Sequence, residues 1–122
     1  MKEKIAVIGA GLVGSLHSLY LAQRGFEVSI FERRPDLRKA EVIGGRSINL
    51  ALSNRGIKAL NEVGLADAIR TNAIPMHGRM VHTIDGQQNL FPYGKEGQFI
   101  NSISRSGLNT VLLDEAEKLG VE

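Results

Sequence analysis

Three glycines and one acid near the amino terminus have the spacing of a dinucleotide-binding turn. Gly9, Gly11 and Gly14 form the pattern G-x-G-x-x-G, and Glu32 follows Gly14 by eighteen residues. In such a turn the first glycine allows a tight bend, the second lets the backbone approach a pyrophosphate, and the third lets helix and strand pack closely. The amino terminus of the next helix offers free N–H groups to the phosphates. These residues predict dinucleotide binding.

The acid indicates which dinucleotides fit. A carboxylate at the position of Glu32 accepts hydrogen bonds from ribose hydroxyls. A 2′-phosphate on the same ribose would be repelled by that charge. We therefore expect FAD or NAD rather than NADP at this turn. The glycines alone are a weak signal, because any tight strand-to-helix connection uses them, and the surrounding elements must support the prediction.

Those elements are a strand, a helix and a second strand. Residues 4–8 (KIAVI) are a short apolar run, typical of a buried parallel strand. From Leu12 to Arg24 the apolar residues recur at helical spacing, and Gly25 follows as a helix stop. Residues 26–31 (FEVSIF) alternate as a second strand that ends at Glu32. The first 32 residues therefore predict a βαβ unit.

The rest of the chain predicts a polar loop, helices and a hairpin. Residues 33–45 are expected to be the loop, and GRSINLAL (45–52) alternates like a half-buried strand. Ser53 should cap a helix over 54–63, and a short helix is expected near 65–71. Strands over 79–84 and 87–91 flank Asp85-Gly86, a hairpin dipeptide, and a further strand is expected over 99–104. The last helix has an apolar stripe of Leu108, Val111, Leu112, Ala116 and Leu119.

Composition excludes several classes of protein. The chain has 122 residues, about one domain, and its net charge of +2 argues against nucleic acid or an anionic membrane as partner. It has no cysteine, so disulfides and thiolate-bound metal are excluded, and the cytoplasm is the default compartment. The spacing of His17, His77 and His82 matches no metal site, so we expect them to be structural.

The carboxyl-terminal residues suggest that more chain belongs to the fold. In an α/β pattern a strand should follow the last helix, and Val121 has the character of its first residue. We therefore expect these residues to be the amino-terminal piece of a longer protein.

The order of elements after Glu32 distinguishes a dehydrogenase from a flavoprotein. An NAD-binding Rossmann domain usually continues with another βα unit. Here a long polar loop leads instead to GRSINLALS, a pair of helices and a hairpin. That order is typical of flavoproteins in which a mixed sheet lies beside the substrate. We expect an α/β, Rossmann-like FAD-binding fold with an inserted β-hairpin, truncated, and with the start of the substrate-side sheet over 78–104.

Several segments resemble the kynurenine 3-monooxygenases among the aromatic-ring flavin hydroxylases. They are IAVIGAGLVGSL, GRSINLALSNRGIKAL, IPMHGRMVH, FPYG, SISRSGLN and LLDEAEK, and they cover nearly the whole chain. The glycine motif is generic, whereas GRSINLALS followed by IPM-x-x-RM-x-H and PYG is specific. The resemblance implies a glutathione-reductase-type fold, bound FAD, reduction by NADPH, and hydroxylation of L-kynurenine. It also implies that the outer-mitochondrial-membrane anchor of eukaryotic members would lie beyond residue 122.

The resemblance carries the family's binding residues onto this chain. Its FAD contacts fall on Val13, Phe31, Glu32, Arg33, Arg34, Ala51 and Arg105, and its substrate contacts fall on Arg79 and Tyr93. No side chain is expected to act as a catalytic acid or nucleophile, because the flavin performs the chemistry.

Each of these roles has a simpler alternative. Arg79 is either a bidentate clamp on the amino-acid carboxylate or a solvated strand residue. Tyr93 either donates to the same carboxylate or is an exposed loop aromatic. Arg105, unfavourable beside the positive end of a helix dipole, either meets the flavin's phosphates or is a surface arginine. Arg46 and Arg55 could line the flavin pocket or anchor loops.

The function itself has two alternatives. Arg79 would fit the carboxylate of any acidic aromatic substrate, so an FAD hydroxylase of another substrate is the second interpretation. A stand-alone dinucleotide-binding module without catalysis is the third.

Overall fold

The computed structural model describes residues 2–39 and 49–122. The first part contains β1 (Lys4–Ile8), α1 (Leu12–Gln23) and β2 (Glu27–Phe31). The second part begins with β3 (Asn49–Leu52), α2 (Asn54–Glu62), α3 (Ala66–Arg70) and β4 (Ile74–Met76). It continues with β5 (Gly78–His82), β6 (Gln88–Pro92), β7 (Ile100–Ser104) and α4 (Arg105–Lys118). The α/β fold class and the βαβ unit predicted from the sequence are confirmed.

The βαβ unit is a parallel pair of strands joined by α1. β1 and β2 are in register from Lys4 opposite Glu27 to Ile8 opposite Phe31. α1 ends beside Gly25, whose φ of +89° is a conformation that glycine adopts without strain. The expectation that β1 is a buried strand is wrong. Its residues alternate between half-buried and exposed, and Ile8 is 81% exposed, because the helices pack on only one face of the pair.

A second sheet has β7 at its centre, with β3 and β4 on either side, both antiparallel to it. The alternation predicted for residues 45–52 is confirmed in the described part, where Leu52 is buried and Ala51 is exposed. Residues 45–48, with Arg46, lie outside the described residues. β4 was not expected, because a three-residue strand that contains Pro75 has no period to recognise.

The hairpin of β5 and β6 forms a sheet of its own. Within residues 78–104, β7 pairs with β3 and β4 instead of with the hairpin. The hairpin turn has three residues, 84–86. The Thr83 N–H closes the turn by donating to the Gln87 carbonyl at 3.0 Å. Gly86 has the positive φ (+85°) that such a turn requires.

α4 packs across α1 and fills the centre of the core. Leu112 and Ala116 of α4 and Leu19 of α1 are each 1% exposed, and burial of one such leucine stabilises the fold by about 2 kcal/mol. The prediction for Leu119 is wrong, since it caps the helix and is 47% exposed. None of the described helices is long and apolar enough to span a membrane.

The last residues lie beside β2. The Glu122 N–H donates to the Val28 carbonyl at 3.1 Å, and the Ile30 N–H donates to the Glu122 carbonyl at 2.6 Å. Val121 is buried in the core. These bonds are those expected of residues that enter the sheet next to β2.

Candidate functional site

The glycine turn between β1 and α1 has the tight geometry that its sequence predicts. Gly9 has a φ of +102°, and its N–H donates to the Phe31 carbonyl at 2.8 Å, which ties the ends of β1 and β2 together. A Cβ on Gly14 would lie 1.8 Å from the Gly9 carbonyl oxygen, so the helix can only approach the turn with glycine there. A Cβ on Gly11 would meet no atom within 4 Å. The fold therefore requires Gly9 and Gly14, whereas Gly11 leaves room for something outside the fold.

The amino terminus of α1 opens on the same side of the turn. Gly11 caps the helix without a side-chain hydrogen bond, and the first bond within the helix runs from the Ser15 N–H to the Gly11 carbonyl. The preceding N–H groups have no intrahelical partner, and the helix dipole adds partial positive charge there. Val13 in the first turn is 83% exposed, and Phe31 at the end of β2 is 57% exposed. The turn and its exposed neighbours thus fit the pyrophosphate of a dinucleotide.

Glu32 lies at the end of β2 and connects the turn to the following loop. Its carboxylate accepts the Ala10 N–H at 2.9 Å, the Arg34 N–H at 2.9 Å, and two guanidinium hydrogen bonds from Arg34. The Arg34 guanidinium, followed by the two backbone N–H groups, lowers the pKa of Glu32 to about 2. These four hydrogen bonds occupy all of the acceptor positions that a carboxylate offers. A ribose hydroxyl would therefore replace the Arg34 guanidinium, whose side chain is 67% exposed.

Asn109 of α4 is a site residue that the sequence analysis missed. Its side-chain amide donates to the Ala10 carbonyl at 2.9 Å, and the Ser15 hydroxyl lies 3.3 Å from that same oxygen. Asn109 is 6% exposed and Ser15 is fully buried. The only sequence signal was a polar residue between Leu108 and Leu112 on the apolar stripe of α4. That signal does not say what the amide would contact.

Arg38 connects the loop after β2 to the carboxyl-terminal half of α4 by ion pairs. Its guanidinium pairs with Asp36 at 2.7 Å, Asp114 at 2.8 Å and Glu117 at 2.7 Å. These carboxylates raise the pKa of Arg38, and the Arg38 hydrogen bonds lower the pKa of Asp36 to about 2. The Arg38 side chain is 18% exposed. The contact fixes the loop that carries Arg33 and Arg34, both of which are exposed.

Arg105 and Ala51 lie on neighbouring elements. Arg105 is the first residue of α4, and the Ser104 hydroxyl caps that helix by accepting the Gly107 N–H at 3.2 Å. Because Asn109 follows Arg105 by four residues, the two share one face of the helix. That face meets the glycine turn through Asn109. Ala51, on β3, is paired with Ser102 two residues before the end of β7.

The hairpin places Arg79 and Tyr93 on one face. Arg79 is paired with Phe91, and its guanidinium carbon lies 5.7 Å from the centre of that ring. Tyr93 continues β6, and its N–H donates to the His77 carbonyl at 2.9 Å. Arg79 and Tyr93 are therefore diagonal neighbours, with Cβ atoms about 7 Å apart by strand geometry. Both side chains are exposed. The three histidines are exposed as well, and His77 packs against the ring of Phe99.

A cleft of about 310 Å³ lies beside Tyr93, between α2 and the segment before β7. Arg55 lines it together with Asn54 at the amino terminus of α2, and Gln98 and Phe99 form the opposite wall. Arg79 does not line this cleft. Ser53 occupies the cap position of α2 as predicted, but its side chain makes no capping hydrogen bond. Arg55 borders this cleft next to a predicted substrate contact, and its two alternative roles stay open.

Solved structures of similar fold include a monooxygenase and an oxygenase. The p-nitrophenol 4-monooxygenase from Pseudomonas putida superposes with a TM-score of 0.72 at 22% identity, covering 98% of this chain and 30% of that one. A 2-methyl-3-hydroxypyridine-5-carboxylic acid oxygenase superposes with a TM-score of 0.80 at 20% identity, over the whole of this chain and 31% of the other. At these identities the likeness concerns the fold alone.

Relatives by sequence are much closer. The kynurenine 3-monooxygenase of Myxococcus xanthus is 53% identical over 120 residues, which are 98% of this chain and 26% of that protein. The kynurenine 3-monooxygenase of Sus scrofa is 52% identical over 117 residues, 96% of this chain and 25% of that protein. The chain thus spans about a quarter of the length of these relatives. The sequence profile of the FAD binding domain family matches residues 2–122. The chain belongs to the FAD binding domain family.

Proposed function

We propose that the protein is an FAD-dependent, NADPH-using monooxygenase that hydroxylates L-kynurenine to 3-hydroxykynurenine, with this chain as its amino-terminal FAD-binding segment. The observation that carries the proposal is an identity of just over 50%, across nearly the whole chain, to kynurenine 3-monooxygenases of a bacterium and a mammal. The structure also supports the proposal, because its glycine turn has the geometry of a dinucleotide site.

The proposed cofactor contacts are those that the family resemblance implies, and the elements that meet at the turn support them. The amino terminus of α1 receives the pyrophosphate, with Gly9, Gly11 and Gly14 shaping the turn and Val13 covering it. Glu32 accepts the ribose hydroxyls, and Phe31, Arg33 and Arg34 border the adenosine. Arg105 brings a cation to the phosphates from the start of α4. Ala51 on β3 lines the flavin side.

The substrate contacts lie on the hairpin. The Arg79 guanidinium is exposed beside Phe91, so its two parallel N–H groups are available to a carboxylate. The Tyr93 hydroxyl donates to the same carboxylate from the diagonal position. Together they orient the aromatic amine of the substrate. The flavin, when bound, supplies oxygen activation and insertion of one oxygen atom into the ring.

The decisive experiment measures NADPH oxidation by the purified full-length protein as L-kynurenine is added, with the product identified by mass spectrometry. Stimulated oxidation with 3-hydroxykynurenine as product supports the proposal. Release of peroxide without that product indicates another acidic aromatic substrate. If none of a panel of such acids stimulates NADPH oxidation, the result indicates a dinucleotide-binding module without catalysis.

The role of Arg79 is tested in the same assay. Arg79→Lys replaces a bidentate guanidinium by an ammonium group and so removes one charge-assisted hydrogen bond. Such a bond contributes about 1.5 kcal/mol or more. The kynurenine KM should therefore rise about tenfold or more. Met80→Leu, on the opposite face of β5, is the matched control and should change the KM by less than about twofold. An unchanged KM in Arg79→Lys would remove the assignment.

A further inference from the structure

Ala10, between the first two glycines of the turn, is held on both sides by side chains from three elements. Its carbonyl accepts the Asn109 amide of α4 at 2.9 Å, and the Ser15 hydroxyl of α1 is 3.3 Å away. Its N–H donates to the Glu32 carboxylate at 2.9 Å. The backbone at Ala10 can therefore rotate only if one of these hydrogen bonds breaks.

The Asn109 contact determines where the next N–H points. The peptide between Ala10 and Gly11 is trans, as are all peptides of the described chain. In a planar trans peptide the carbonyl and the N–H point in opposite directions. Because the Ala10 carbonyl points at Asn109, the Gly11 N–H points away from α4. The turn is open at this residue, since a Cβ placed on Gly11 would have no atom within 4 Å.

Burial makes this arrangement stiff. Asn109 is 6% exposed and Ser15 is 0% exposed, so water cannot replace either donor. The Ser15 hydroxyl is also 3.3 Å from the Asn109 side-chain oxygen, and its one proton donates either to that oxygen or to the Ala10 carbonyl. The Ala10 carbonyl is partly buried, and loss of its donor would cost up to about 1–3 kcal/mol, which favours the observed orientation over a rotated one.

We propose that Asn109 is a positioning residue for the cofactor: by holding the Ala10 carbonyl it aims the Gly11 N–H at the pyrophosphate of FAD. It touches no cofactor atom and acts through the backbone. The proposal rests on FAD binding at this turn and is independent of the substrate proposed above. Arg105, one helical turn earlier on the same face, would bring charge to the same phosphates.

The test compares ligands with and without the pyrophosphate. Affinities of the flavin-free, full-length protein are measured by calorimetry for FAD and ADP, and by NMR titration for adenosine. Asn109→Leu removes the donor at similar volume. We expect FAD and ADP affinity to fall about tenfold, the loss of one well-aimed hydrogen bond, and adenosine affinity to change by less than about twofold. Thr110→Val, the neighbouring position on α4, is the control and should leave all three affinities unchanged.

Two results would overturn the proposal. One is unchanged FAD and ADP affinity in a folded Asn109→Leu protein. The other is an equal loss for adenosine, which would mean that Asn109 only supports the fold. Kynurenine turnover enters neither measurement, so a wrong substrate assignment leaves this test valid.

A second variant covers the case in which Asn109→Leu does not fold. Asn109→Asp keeps the shape, but its ionised carboxylate cannot donate to the Ala10 carbonyl. FAD affinity should be low at neutral pH and recover on acidification, because the protonated acid regains a donor. In the flavin-free protein the pKa of Glu32, on the other side of Ala10, is about 2, and the wild-type affinity over the same pH range shows any contribution of Glu32 to the complex. Absence of recovery, with wild-type affinity constant over the same range, also contradicts the proposal.

Discussion

Gly14→Ala should destabilise the protein without its cofactor, whereas Gly11→Ala should impair only cofactor binding. The new Cβ at position 14 would lie 1.8 Å from the Gly9 carbonyl oxygen, where contact normally begins at about 3.3 Å. The oxygen cannot retreat by the missing 1.5 Å or so, because the Gly9 N–H is bonded to Phe31 and φ there is +102°. Overpacking against backbone of this kind costs about 3 kcal/mol or more. That is about a hundredfold increase in the unfolded fraction.

Gly11→Ala is the matched control. A Cβ there meets nothing within 4 Å, and φ is −77°, which alanine adopts freely. The entropic gain of Gly→Ala and the loss of a good helix cap are each below about 1 kcal/mol and oppose each other. Stability without flavin should therefore stay within about 1 kcal/mol of wild type. FAD affinity should fall about tenfold or more, because the methyl group stands where the pyrophosphate approaches.

The assay is urea unfolding of the flavin-free full-length protein followed by far-UV circular dichroism. At equal slope, the shift of the midpoint gives the change in the free energy of unfolding. Calorimetry gives the FAD affinity of each variant. The reasoning is refuted if Gly14→Ala unfolds at the wild-type midpoint, or if Gly11→Ala binds FAD as tightly as wild type.

Three further predictions concern Glu32, Arg105 and Tyr93. The pKa of Glu32 is lowered to about 2, so its contribution to stability is present above about pH 4.5 and is lost as the pH falls toward 2. The urea midpoint of Glu32→Gln should therefore decline less over that range than the midpoint of the wild type. Parallel curves of midpoint against pH would contradict this. Arg105→Ala should purify with less bound FAD, measured by absorbance per protein, and full occupancy would make Arg105 a surface residue. Tyr93→Phe should weaken kynurenine binding about tenfold, the loss of one hydrogen bond to a carboxylate; equal affinity by titration would contradict that role.

Local patterns predicted the glycine turn and the described elements other than β4. Gly9, Gly25 and Gly120 stand where positive φ values occur, and the strand–helix–strand order at the start is as expected. Such features depend on residues within one or two turns of each other, so a sequence window contains their causes. The division of 78–104 between two sheets depends on which strands meet, and periodicity carries no information about partners.

The interactions that support the site could not be predicted for the same reason. Asn109 and Ala10 are 99 residues apart, and Arg38 and Glu117 are 79 residues apart. The sequence marks Asn109 only as a polar residue on an apolar face, and Arg38 only as one charge in a polar loop. Their partners are defined by the packing of α4 against α1, which no local rule describes.

The Arg38 contacts have a consequence for biosynthesis. The loop that holds Arg33 and Arg34 reaches its final position only when Asp114 and Glu117 are present, and Asn109 must also arrive before the Ala10 peptide is fixed. At a translation rate of about 5–20 residues per second, the ribosome needs about 4–16 s to add the 79 residues between Arg38 and Glu117. During that interval the nascent amino terminus has its glycine turn but lacks the helix that holds it in place. Flavin capture on the ribosome would therefore begin only after α4 has emerged from the exit tunnel.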